Sequence, residues 1–306
     1  MHTASLRVSS SVAEVATRPA NLAAVDRAIG QAGSGRGAVA IRQLLGGTHA
    51  NTWLVAIEGL GSEGVLREFP AGDTSVAWEA QVLLALDGLD VLAPRLLAEG
   101  VNDAIPWLLL SRLPGAANIT SLEPEVIAQE LGVALARVHG ANGEQLAPFR
   151  EVYEMAGGGL EDLSGPAASS FRASWQHLIE EPFVLTHHDF WSCNVVWDAD
   201  RLSGIVDWNG GSLGPRGFDV GWCRLDLYLL FDEVIADLFL GSYEAAFDDD
   251  LADPALWDLW AVARSDRIVD TWTPNYLDLG RSDLTARTLR RRHREWTDSS
   301  LRRAQG

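Results

Sequence analysis

Up to residue 113 the chain runs through short strand-like segments broken by glycine-bearing turns, and beyond that point its pattern turns helical. This change of period most constrains the fold, because it predicts an α+β protein in two lobes. Strand character is expected at Ala38–Leu45, Thr52–Ile57, Gly64–Phe69, Arg95–Ala98 and Trp107–Leu113, with one helix from Asp73 to Leu86 between the third and fourth. Pro114-Gly115 then breaks the chain. Leu122–His139 has the spacing of a long amphipathic helix, and a further helix is expected at Ala167–Ile179. Two short strands, Val195–Trp197 and Gly204–Val206, flank a turn, and from Phe218 onward nearly everything is predicted helical. The expected organisation is an N-terminal extension with a helix at 1–36, a small lobe at 37–113 and a larger, mainly helical lobe at 114–306.

Charge narrows the partners. The formal net charge is −18, and all 24 basic residues are Arg. The stretch 113–280 alone carries 28 acids against 8 Arg, whereas the segment from Arg281 is basic. So acidic a body repels nucleic acid and anionic membranes and attracts a cationic small molecule. The Arg cluster at 287–294 is expected to be a solvated helix packed on the acidic lobe. No apolar run is long enough to span a membrane, and the first twenty residues lack the apolar core of a secretory signal, so a cytoplasmic location is expected. Cys193 and Cys223 have no metal-ligand spacing, and two reduced thiols are the simplest reading.

The chemistry concentrates in one run, His187-His188-Asp189-Phe190-Trp191-Ser192-Cys193-Asn194, followed by Ile205-Val206-Asp207-Trp208. Asp189 and Asn194 share a loop ahead of a short strand, and Asp207 ends the next one. Phosphoryl transfer from a nucleotide needs a carboxylate to orient the acceptor hydroxyl, hard oxygen ligands for Mg²⁺, and a rigid hairpin to hold both sets. Asp189 suits the first role, and Asn194 and Asp207 suit the second.

The run resembles the H-x-D-x-x-x-x-N catalytic loop and following I-D-W element of aminoglycoside phosphotransferases and choline kinase-like relatives. Gly214-Pro215-Arg216-Gly217-Phe218-Asp219 is similar to their G-x-P-x-x-D signature. The resemblance spans residues 38 to 230 and implies a bilobal protein-kinase-like fold, with an antiparallel five-stranded sheet and one helix in the small lobe. It implies that His187 braces the catalytic loop and that Asp219 ties it down through its backbone. By the same resemblance, Gly46 and Gly47 belong to the phosphate-covering turn, Arg67 contacts the nucleotide phosphates, Glu79 pairs with Arg67, and the hinge Leu110–Leu113, with Ser111 and Leu113, meets the adenine edge with backbone groups.

Several positions depart from the family pattern. Arg67 stands where Lys is usual, and its planar fork can hold phosphate oxygens while pairing with Glu79. His188 and Cys193 occupy positions where Gly is common, and Trp191 replaces a frequent His, as in the fructosamine-kinase variant of the loop. Trp191 either stacks on an acceptor or fills the core, and Asp226 is a candidate for the acceptor pocket. The resemblance implies ATP or GTP with Mg²⁺ and a monomer or homodimer that O-phosphorylates a small, cationic acceptor such as an aminoglycoside-type antibiotic or amino sugar. The alternatives are a metabolic kinase for fructosamine, sugar, choline or homoserine, and a nucleotide-binding pseudokinase.

Overall fold

A computed structural model of the chain describes residues 19–31, 37–44, 50–58, 62–148 and 160–305. Five strands, β1 (Gly37–Leu44), β2 (Asn51–Glu58), β3 (Ser62–Glu68), β4 (Leu96–Glu99) and β5 (Trp107–Ser111), form one sheet in the order β1-β2-β3-β5-β4. Every neighbouring pair is antiparallel. Strand alternation decides what each face meets. Trp53, Val55, Ile57, Leu66, Trp107 and Leu109 bury together with Leu22 and Val25 of helix α1 (Leu22–Gln31). Leu108 and Leu110 belong instead to the core that includes Val76, Val82 and Leu83 of α2 (Ser75–Leu86). Fully burying each such Leu or Val contributes roughly 2 kcal/mol. On β3, Leu66 and Glu68 face α1, so the residue between them, Arg67, is turned toward α2, and this begins the functional site.

Helix α1 is fastened at its start, where the Asn21 backbone N–H donates to Glu68 Oε1 at 2.7 Å and Asn21 Nδ2 donates to the Ile105 carbonyl at 3.0 Å. The sheet with α1 and α2 is the smaller lobe. The connection onward is tied to the larger lobe by reciprocal backbone bonds between Ala116 and Trp197, at 3.0 and 2.8 Å. Gly115 makes that approach possible: its φ is +98°, and a Cβ there would lie 2.1 Å from the Trp197 carbonyl oxygen.

The larger lobe is built from α3 (Pro124–His139), α4 (Ala168–Leu178), α5 (Gly217–Leu230), α6 (Glu233–Phe247), α7 (Pro254–Ser265), α8 (Thr273–Asp278) and α9 (Ala286–Arg303). Within it lie the hairpin β7 (Val195–Asp198) and β8 (Arg201–Ile205), and a second antiparallel pair, β6 (Val184–Thr186) with β9 (Ser212–Gly214). The second pair has no counterpart in the sequence expectations, because three-residue strands are too short to show a period of two. On α3 the buried face runs through Ile127, Leu131, Leu135 and Val138. No described helix is long and apolar enough to cross a membrane.

The basic terminal segment forms α9, packed on α5 and α7. Arg292 Nη1 donates to the carbonyls of Tyr228, Leu229 and Phe231, covering the acceptors left open at the end of α5. Arg303 pairs with Asp258 at 2.9 Å. His293 is buried on the same helix, its Nε2 donating to the Val262 carbonyl at 3.1 Å. Burial, aided by Arg290, lowers its pKa to about 4. Because the folded value is depressed, the unfolded chain takes up this proton first, and stability falls as pH drops from about 6.5 toward 4. His293→Gln keeps a donor without the titration. In urea unfolding it should reduce the stability–pH slope in that window by about one proton, or ~1.4 kcal/mol per pH unit.

Candidate active site

The short strand β6 delivers the chain directly to His187, and the loop runs from there to a 3₁₀ turn at Ser192–Asn194 that opens β7. Its entry is held by Asp219, near the start of α5 and fully buried. Asp219 accepts from the backbone N–H groups of His187 and His188, at 2.6 and 2.7 Å, and from His139 Nε2 at 3.2 Å. His139 in turn meets the Tyr243 hydroxyl at 2.8 Å. Burial works to raise the Asp219 carboxyl, but the hydrogen bond from His139 holds it below the ordinary carboxylate range. His188 has φ +65°, the left-handed region that favours glycine, which is why glycine is common at this position. Its ring is buried against Phe218 at 4.9 Å, and burial lowers its pKa to about 4.

His187 bridges the loop to the next strand. Its Nε2 donates to the Val206 carbonyl at 2.9 Å, leaving Nδ1 to accept from the Asp189 backbone N–H at 3.3 Å. Asp189 is partly exposed. Its Oδ1 accepts from Trp222 Nε1 and its Oδ2 from Asn194 Nδ2, both at 2.9 Å. Burial pushes the Asp189 carboxyl above its ordinary value, against the opposing pull of His187. Asn194 Nδ2 also donates to the Asp189 carbonyl at 2.9 Å, so its amide nitrogen is spent and Oδ1 is the atom left for a ligand.

Asp207 follows β8 in a left-handed conformation, φ +66°, with its side chain 38% exposed. The 3₁₀ turn after it presses on α2, where a Cβ on Gly211 would lie 2.5 Å from Val82. That contact brings Asp207 and Glu79 to the same guanidinium. Arg67 pairs with Glu79 through Nη1 and with Asp207 Oδ1 through Nη2, at 2.9 Å for the latter. A single ammonium lacks this fork. Burial opposes the charge on Arg67, but Glu79 and Asp207 hold its pKa above the ordinary value. Glu79 Oε2 is buried without a partner among the described residues, and burial raises the carboxyl to about 7 against the pull of Arg67.

The remaining assignments fare differently. Gly46 and Gly47 lie outside the described residues. The Ser111 hydroxyl accepts from the Arg95 backbone N–H at 2.8 Å, so it is already engaged within the sheet. Leu113 packs on β8, close enough that a Cβ on Gly204 would meet its Cδ1 at 2.4 Å. The two residues assigned to the acceptor sit in the interior instead. Trp191 is 6% exposed and lies against Trp272 and Tyr276, at ring distances of 5.4 and 6.1 Å. Asp226 is 2% exposed and its oxygens are taken: Oδ2 by the Ser192 backbone N–H and hydroxyl, Oδ1 by the Tyr276 hydroxyl at 2.9 Å. Asp226 therefore supports the loop from behind, and burial raises its pKa to about 6. Sequence reasoning missed Trp222 and His139. Trp222 was detectable, because it stands three residues after Asp219 and so on the same helix face.

Solved structures share this fold. The chain is similar to an aminoglycoside-3'-phosphotransferase of type VIII, at 19% identity and a TM-score of 0.54, over 77% of this chain and 97% of that one. It is similar to a thermostable mutant of aminoglycoside phosphotransferase APH(4)-Ia, in ternary complex with ADP and hygromycin B, at 17% identity and a TM-score of 0.54, over 85% and 96%. It is also similar to the macrolide 2'-phosphotransferase MphH from Brachybacterium faecium, at 18% identity and a TM-score of 0.50, over 85% and 91%. No curated protein matches the sequence. The model of the phosphotransferase enzyme family matches residues 40–260, well over half of the chain and all of the loop and ion-pair residues just described, and the chain belongs to that family.

Proposed function

We propose that this phosphotransferase moves the terminal phosphoryl group of ATP to a hydroxyl of a small, amine-bearing acceptor. The observation that carries this reading is the joining of Asp189 and Asn194 in one hydrogen-bonded loop, with Asp207 beside it on the same Arg67 that pairs with Glu79. Asp189 orients the acceptor O–H and takes its proton as the new O–P bond forms and the bond to the ADP oxygen breaks. Arg67, paired through Nη1 with Glu79 and through Nη2 with Asp207, offers its remaining N–H groups to the phosphates. Asn194 Oδ1 and the half-exposed Asp207 carboxylate suit Mg²⁺, a hard cation usually held by one or two protein oxygens and the phosphates themselves. The described residues contain no cluster of three or more His, Cys, Asp or Glu arranged for a metal. Mg²⁺, when bound, would neutralise phosphate charge. The remaining catalysis comes from positioning.

The −18 net charge supports a cationic acceptor. The test is an ADP-release screen over aminoglycosides, macrolides, peptide antibiotics, amino sugars and choline-like amines. Stimulated ADP release with a phosphorylated product is expected from an amine-bearing, hydroxylated compound. Turnover confined to neutral sugars would overturn the cationic acceptor, and Mg·ATP binding without any product would indicate a pseudokinase. Failure of ATP to raise the melting temperature would remove both.

A further inference from the structure

One face of α5 grips the whole catalytic loop. Asp219, Trp222 and Asp226 stand at positions i, i+3 and i+7, so they project from the same side of the helix. Asp219 holds the loop entry through the N–H groups of His187 and His188, and Asp226 holds its exit through Ser192. Trp222 lies between them, and its Nε1–H reaches Asp189 Oδ1 at 2.9 Å.

We propose that Trp222 is a positioning residue for Asp189, fixing the plane of the carboxylate that meets the acceptor hydroxyl. This rests on the proton-accepting role proposed for Asp189. A carboxylate held by one donor can still swing about its last torsion. With Trp222 on Oδ1 and Asn194 on Oδ2, each oxygen has one fixed donor and keeps lone-pair capacity for the acceptor. An indole N–H suits the task because it only donates and never competes for the acceptor proton. The ring itself is immobilised: Trp222 is 5% exposed, with Trp272 and Trp260 at 5.3 and 5.9 Å between ring centroids. The Arg264 guanidinium carbon sits 5.5 Å from the Trp222 ring centroid. A cation on the π face draws electron density from the ring and sharpens the N–H as a donor.

The test separates the donor from the ring. Trp222→Phe removes the N–H and leaves a small void. Site-specific replacement of Trp222 by benzothienylalanine, a sulfur isostere of tryptophan, removes the donor alone. In both variants of the full chain, kcat for the acceptor identified by the screen should fall about tenfold. KM for ATP and the Kd of Mg·ATP should stay within about twofold of the unaltered protein, because the contact lies on the acceptor side. Wild-type kcat in the isostere would overturn the proposal, even if the Phe variant were impaired, since the ring and not the N–H would then matter. A second measurement needs no acceptor. In ¹⁵N-tryptophan-labelled protein, the indole resonance missing from Trp222→Phe identifies Trp222, and Asp189→Ala should shift it and speed its exchange with water. An unmoved resonance would overturn the contact. If the unaltered protein phosphorylates nothing, the kinase reading fails separately, and this resonance still decides the contact.

Discussion

Asp189→Asn should lower acceptor phosphorylation by about 10³-fold, within the range supplied by a positioned general base, while Mg·ATP binding by calorimetry stays within a few-fold. Asparagine is the informative choice. Asp189 accepts from two donors, Trp222 Nε1 and Asn194 Nδ2, and alanine would leave Trp222 Nε1 without an acceptor and Asn194 Nδ2 with the backbone carbonyl alone. The asparagine oxygen can serve one of them, so the variant loses one hydrogen bond to a charged group, about 1.5–3 kcal/mol, while Asp219 and Asp226 keep the loop in place. What it cannot do is take a proton. The pH dependence of the unaltered enzyme gives a companion expectation. Burial holds the Asp189 carboxyl above its ordinary value, so the acid limb of kcat should lie above that of an ordinary aspartate, with activity rising as the group ionises. Wild-type turnover in Asp189→Asn would remove Asp189 from the chemistry, and with it the proton transfer on which the proposed mechanism depends.

The parts of the site that are legible in the sequence are those set by local spacing. Asp189, Asn194 and Asp207 lie on a loop and a hairpin whose geometry follows from their separation along the chain, and strand alternation turns Arg67 toward α2. The partners arriving from α5 are not marked by its own hydrophobic pattern: Asp219 is reached through the family signature, Trp222 only through its offset from Asp219, and the inward turn of Asp226 not at all. Of its fourteen residues, only Tyr228 falls outside the buried set. A helix that is buried all round has no polar face to mark orientation, so nothing in its pattern separates an acid that faces a substrate from one that faces the loop. An outward Asp226 is as compatible with that pattern as an inward one, and the Ser192 and Tyr276 contacts turn it inward. Trp191 is ambiguous for a related reason. A large aromatic two residues from Asp189 serves equally as stacking surface or core, and only the Trp272 and Tyr276 rings decide between them. His188 illustrates the opposite case, since a family position favouring glycine already signals a left-handed backbone, and the chain meets it at φ +65° with a buried ring.

Asp219→Ala should be the most destabilising single substitution among the residues that hold the loop from His187 to Asn194, because three donors converge on one fully buried carboxylate. Its removal leaves the His187 and His188 N–H groups and His139 Nε2–H facing a void that water does not readily reach. Hydrogen bonds to a charged group contribute about 1.5–3 kcal/mol each, and orphaned buried donors add their own desolvation cost. A loss of roughly 3–5 kcal/mol is expected in urea unfolding at pH 7, out of the roughly 5–15 kcal/mol available to a typical domain. Asp219→Asn retains one acceptor oxygen and should fall between the two. The sign with pH follows from the depressed folded value. The stabilisation from Asp219 is fully present above the unfolded carboxyl value of about 3.9 and is lost as pH falls through the folded one. The alanine variant should therefore show a flatter stability profile at acid pH than the unaltered protein. Activity supplies the discriminating readout, because the loop that Asp219 anchors carries Asp189. At a temperature where the variant is still folded, kcat should fall with the loss of loop order while ATP affinity changes less. A variant as stable as the unaltered protein at pH 7 would mean that the loop is held elsewhere, and Asp226 and Ser192 at its other end would be the place to look.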